Sequence, residues 1–195
     1  TICLDLGRLG LTGLGDQSTV EYGIRAAATL ARQAFERGHA TQLIAVGETV
    51  ERVPPGSGLQ HLLAVLDRLV FLKSGGERDF AEEIKRLRPV LRRGSTAALI
   101  FSAATLRLDA LAPLIEDLRQ QRVRALVILL DDRTFPKLYR EQERLHAAGP
   151  DVNEAALRLR LLGARVHILA RHSHPAEAIR RGLGAEAAQD GSGLA

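Results

Sequence analysis

Apolar residues fall along this chain in two rhythms. Short blocks are apolar at almost every position, as in "STAALIFSAA" (95–104) and "RVRALVILLDD" (122–132). Such blocks read as strands buried on both faces of a parallel sheet. "TICLDL" at the start, "ATQLIAVG" (40–47) and "ARVHILAR" (164–171) read as further strands. Between them run longer stretches with apolar residues at helical spacing. "STVEYGIRAAATLARQAFERG" (18–38) is a long helix, with Ile24, Ala27, Ala28, Leu30, Ala31 and Phe35 on one stripe. Ser18 stands at its N-cap with Glu21 three residues on, a capping-box pattern, and Gly38 ends it. "GLQHLLAVLDRLVFL" (58–72) is a second helix, expected to turn Leu59, Leu62, Leu63, Leu66, Leu69 and Val70 inward. "FAEEIKRLRPVLRRG" (80–94) is a third helix, with Pro89 near its last turn, and "LRLDALAPLIEDLRQQ" (106–121) a fourth. "FPKLYREQERLHAAG" and "DVNEAALRLRLLG" read as one or two more around Gly149–Pro150, longer than a minimal crossover.

Strands alternating with helices specify a doubly wound α/β fold, with a mostly parallel sheet between two helical layers. "ETVERVPPG" (48–56) follows the second strand closely enough to form a hairpin, so one edge strand near 49–53 is expected to be antiparallel, with Pro54 and Pro55 stopping it. A single domain is expected over 1–185, its last helix in "HPAEAIRRGLG", and a disordered tail over 186–195.

Composition narrows the function classes. The 195 residues are 46% hydrophobic and 26% charged, as in an ordinary globular domain. Aromatics make up 4%, so Leu, Val, Ile and Ala must build the core. The net charge is +4 and the pI about 9.8, which would suit an anionic partner. The arginines, however, interleave with Glu and Asp, as in "ERDFAEEIKRLRPVLRR", and no aromatic stacking set accompanies them. Nucleic-acid binding is therefore not expected. The one cysteine, Cys3, lies in a strand and allows no disulfide within the chain, which suits a reducing compartment. No run approaches the roughly 18 apolar residues of a membrane span. The chain has no Met and begins directly on a strand, so it is expected to be part of a longer protein.

Ligands of such sheets bind beyond the carboxyl ends of the strands, where strand order reverses. Asp5, the glycine-rich loop Gly7–Gly15, Ser102, Asp131 and Asp132 fall there. "GRLGLTGLG" has neither the phosphate-loop lysine nor the dinucleotide spacing, so a tight turn is the plainer reading. No Gly-x-Ser-x-Gly elbow occurs. His172 and His174 have ligand-like spacing without a neighbouring cluster and read as an exposed loop. Asp131 and Asp132 read as a helix-leading turn or as an acidic site. Asp5 invites a metal. A carboxylate at a strand end can also accept N–H groups of its own loop, or pair with Arg8 or Arg78.

Four segments carry a family resemblance: "CLDLGRLG", "STVEYGIRAAATLARQAFERGHATQLIAVG", "VERVPPGSGLQHLLAVLDRL" and "KSGGERDFAEEIKRLRPVLRRGSTAALIFSA". In order and spacing, residues 1 to about 170 resemble the von Willebrand factor A-like domain of the bacterial domain-of-unknown-function 58 family. The resemblance implies six strands in the order 3-2-1-4-5-6, strand 3 antiparallel. It also implies a metal loop of Asp-x-Ser-x-Ser with a threonine and a second aspartate from other loops. Here Asp5 stands at the first position, Gly7 and Leu9 replace the serines, no threonine stands near Glu77 and Arg78, and Ser102 or Ala103 replaces the second acid. A degenerate site of Asp5 and Ser102, holding Mg²⁺ weakly if at all, is what the resemblance leaves. Thr12, Asp16 and Glu77 are the loop residues that could rebuild it. The function implied is a non-enzymatic adaptor that works with a MoxR-type AAA+ ATPase, cytoplasmic or the soluble part of a membrane-anchored protein. Its partner-binding loops would present Gly7, Arg8, Thr12, Asp16, Glu77, Arg78, Asp131 and Asp132. The alternative is a Mg²⁺-dependent or small-molecule-binding enzyme using Asp5 with Asp131 or Asp132.

Overall fold

The computed structural model of the chain describes residues 1–137, 151–173 and 177. Of the expected helix over 135–149 only 135–137 are described, and they are not helical; the rest of it, His174, the terminal helix apart from Glu177, and the tail lie outside the described residues.

Six strands form one sheet: β1 (Ile2–Asp5), β2 (Thr41–Val46), β3 (Val50–Gly56), β4 (Thr96–Ser102), β5 (Arg124–Asp131) and β6 (Arg165–Ala170). Their order is β3-β2-β1-β4-β5-β6, parallel except for β3, which runs antiparallel to β2. Alternation along each strand assigns the two faces. Leu4, Leu43, Ile100 and Ile128 point to one face; Cys3, Ile44, Leu99 and Val127 point to the other. The first face is covered by α1 (Thr19–Glu36) and α2 (Leu59–Val70). The second is covered by α3 (Phe80–Arg86), α4 (Leu108–Gln120) and α5 (Val152–Leu161). This is the three-layered α/β arrangement that the alternating pattern specifies, and it has the von Willebrand factor A-like strand order.

Three local expectations are corrected. Pro54 and Pro55 do not stop β3, which runs on to Gly56 opposite Thr41. The strand is at the sheet edge and its register shifts between Thr41 and Leu43, so the prolines remove no ladder bond the sheet needs. In α2, Leu62, Val65 and Leu69 are buried, while Leu59, Leu63 and Val70 are exposed. An all-apolar helix does not reveal from its own sequence which side a neighbour will cover. In α1 the stripe turns slightly: Gln33 is buried and Phe35 exposed. The α1 cap forms as expected, Ser18 Oγ accepting the Glu21 N–H at 3.2 Å.

Helix α1 lies close on β1, so that a Cβ on Gly23 would come within 2.9 Å of Leu4 Cδ1. That close approach fixes the α1 N-terminus, and with it the glycine-rich loop, above the end of β1.

Candidate functional site

Strand order reverses between β1 and β4, and Asp5 is the last residue of β1. Its carboxylate is held from two sides. Oδ1 accepts the Gly7 N–H at 2.9 Å, as expected of a strand-end carboxylate turning its own loop. Oδ2 lies 3.1 Å from the hydroxyl of Thr105, in the short 3₁₀ turn Ala103–Thr105 after β4. The same hydroxyl lies 3.0 Å from the Ser102 carbonyl, so its one proton serves two acceptors. Burial pushes the Asp5 carboxyl above its ordinary value; the Gly7 and Thr105 donors pull it down, and Asp79 adds to the upward push.

Ser102 is not the hydroxyl beside Asp5. It is buried, and its Oγ accepts the Ala104 N–H at 3.2 Å. Alternation explains this: Asp5 follows Cys3 onto one face, whereas Ser102 follows Ile100 onto the other. Thr105 is not legible in the sequence, because nothing in "SAAT" shows that the turn after β4 folds back over β1. Gly10 permits the approach, since a Cβ there would lie 3.2 Å from Thr105 Cγ2.

Neither Arg8 nor Arg78 pairs with Asp5. Arg8 pairs with Glu77 at 2.5 Å, and Arg78 with Glu83 at 3.1 Å while donating to the Glu48 carbonyl. These contacts belong to the loop before α3, which is stitched to β1 through Gly75 N–H to Leu6 O and Arg8 N–H to Gly76 O. Asp79 caps α3 through the Glu82 N–H and accepts from Arg107 at 3.0 Å. Around Asp5 these elements enclose a cleft of about 320 Å³. Phe80, Phe101 and Leu111 line it with apolar surface, and Arg8, Glu77, Arg78, Asp79 and Arg107 with charge.

The remaining loop candidates separate. Asp16 is exposed in the 3₁₀ turn before α1. Thr12 is fully buried, its N–H given to Thr19 Oγ1 at 2.9 Å, so it offers no surface to a partner. Asp132 is buried too, whereas Asp131 is half-buried at the end of β5. Asp131 lies two strands from Asp5, roughly 10 Å across the sheet at ordinary strand spacing. Among the described residues no group of three His, Cys, Asp or Glu side chains is arranged to hold a metal. His172 is exposed, and its N–H donates to the Tyr22 hydroxyl at 3.2 Å.

The fold is a three-layered, von Willebrand factor A-like α/β domain, and the aspartate at the end of its first strand, Asp5, is engaged in loop structure. No protein-family model matches the chain, and no curated protein does. Among solved structures it is similar to the conserved hypothetical protein BatB from Bacteroides thetaiotaomicron, with a TM-score of 0.63 at 10% identity, covering 96% of this chain and 97% of that one. It is also similar to the manganese-loaded TRAP protein of Plasmodium vivax, with a TM-score of 0.44 at 15% identity over 85% of this chain and 72% of that one. The first likeness shows the fold; the second is too distant to bear on the site. Among the described residues no helix is long and apolar enough to cross a membrane.

Proposed function

We propose that the chain is a non-enzymatic protein-interaction domain whose recognition edge is the carboxyl edge of the sheet around Asp5. The observation that carries this reading is the cleft there: an apolar floor of Phe80, Phe101 and Leu111 under a rim of arginines and carboxylates. An apolar centre with an arginine-rich polar rim is the anatomy of a protein interface. Asp5 serves in it by shaping the loop. The resemblance to the domain-of-unknown-function 58 family supplies the partner, a MoxR-type AAA+ ATPase in a bacterial, membrane-associated assembly whose soluble part faces the cytoplasm.

Capture of the cognate ATPase by the wild-type chain, weakened by Arg8→Glu together with Arg107→Glu, is the expected result. Both side chains are exposed, so the double variant should melt within a few degrees of wild type. No capture, or capture indifferent to both charges, sinks the reading.

A Mg²⁺-dependent enzyme using Asp5 with Asp131 or Asp132 is the competing reading. The buried Oδ1 of Asp131, without a hydrogen-bond partner among the described residues, favours it. Calorimetry with Mg²⁺, Mn²⁺ and Ca²⁺ on wild type and Asp5→Ala separates the two. Tight binding that Asp5→Ala abolishes would establish the metal.

A further inference from the structure

A second cavity, larger than the cleft around Asp5, lies at the opposite edge of the sheet, beneath the amino ends of β1, β4 and β5. It measures about 420 Å³, within the range of small-molecule sites. Leu30, Ile2 and Leu126 give it an apolar wall. Its ionisable side chains are all basic: Arg37, His39, Arg124, Arg165 and His167. No Asp or Glu is among its described lining residues. Elsewhere many arginines pair with acids along the helices, as Arg25, Arg32, Arg119 and Arg158 do. Arg37 and Arg124 form no ion pair among the described residues.

A second observation points to a ligand. Gln33 lines this cavity from α1, is only 7% exposed, and has no hydrogen-bond partner for either its Nε2 or its Oε1. A buried amide without partners is costly, because its polar atoms have lost water and gained nothing in exchange. The excess of positive charge is felt at His167, which burial, and then Arg160 and Arg165, hold below the ordinary histidine value.

We propose that this cavity binds an anionic organic molecule, its carboxylate or phosphate held by Arg37 and Arg124, its apolar body against Leu30 and Leu126, and a polar atom on Gln33. This site is independent of the partner edge around Asp5, so either can fail without the other.

Titration calorimetry of the 195-residue chain with octyl phosphate, octanoate and inorganic phosphate tests it. Saturable binding of one octyl phosphate or octanoate per chain is expected, with inorganic phosphate about tenfold weaker or more. The tighter of the two organic probes identifies the headgroup. Arg124→Glu should weaken binding by about tenfold or more, and Gln33→Leu by a smaller factor. Leu63→Ser, on the exposed side of α2, should leave it unchanged. If Gln33→Leu does not fold, the exposed Arg124→Glu still decides. Absence of saturable binding up to millimolar probe, full binding by Arg124→Glu, or equal affinity for bare phosphate would overturn the proposal.

Discussion

The hydroxyl of Thr105 meets the carboxylate of Asp5 at 3.1 Å, joining two residues one hundred positions apart. The contact ties the loop after β1 to the turn after β4 at the point where strand order reverses. Thr105→Val removes the donor and leaves the carboxylate with one partner. A loss of about 1–2 kcal/mol in urea unfolding is expected, most of it recovered by Thr105→Ser.

Stability should depend on pH through Asp5. Below its unfolded value near 3.8 the carboxyl is protonated in both states and contributes nothing. Between there and its raised native value the folded chain binds more protons than the unfolded one, so stability falls as pH rises. The cost persists at neutral pH. Asp5→Asn should remove it, since an amide can donate to Thr105 Oγ1 while that hydroxyl donates to Ser102 O. Urea midpoints of the two proteins from pH 3.5 to 7 should diverge in favour of the variant. A constant difference across that range would contradict the assignment.

Gly13 and Gly15 flank the same loop but differ in what surrounds them. Gly13 has φ of +86°, and a Cβ there would lie 2.1 Å from the Gln17 carbonyl oxygen. Gly15 has φ of +52° and open space. Gly15→Ala should cost about 1 kcal/mol of left-handed strain. Gly13→Ala should cost roughly 3 kcal/mol or prevent the loop from closing. Thermal melts of the pair check the order.

Cys3 is fully buried in β1, and burial pushes its thiol up to about 12. The native chain should therefore resist iodoacetamide at pH 8 and react only on unfolding. Fast alkylation of the folded protein, followed by mass spectrometry, would show the first strand to open.

Much of the fold was legible because local rules govern it. Continuous apolar blocks named β4 and β5, the Ser18–Glu21 pattern placed the start of α1, and alternating elements required a parallel sheet. The inner face of α2 was not legible, because Leu59, Leu63 and Val70 are as apolar as the residues that α1 and the sheet cover. Half of the candidate site was legible: Asp5 accepting its own loop's N–H is a contact two residues long. Its other half was hidden, since Thr105, Asp79 and Arg107 arrive from separate loops.

What the sequence determined by itself is therefore the set of elements, their handed order and the aspartate at the strand end, all set by periodicity and short-range hydrogen bonding. What the tertiary structure decided is which hydroxyl meets that aspartate, which acids claim Arg8 and Arg78, and where basic side chains gather around Gln33. Those depend on side chains brought together by sheet register and helix packing, and no local pattern encodes which distant residue a buried polar group will find.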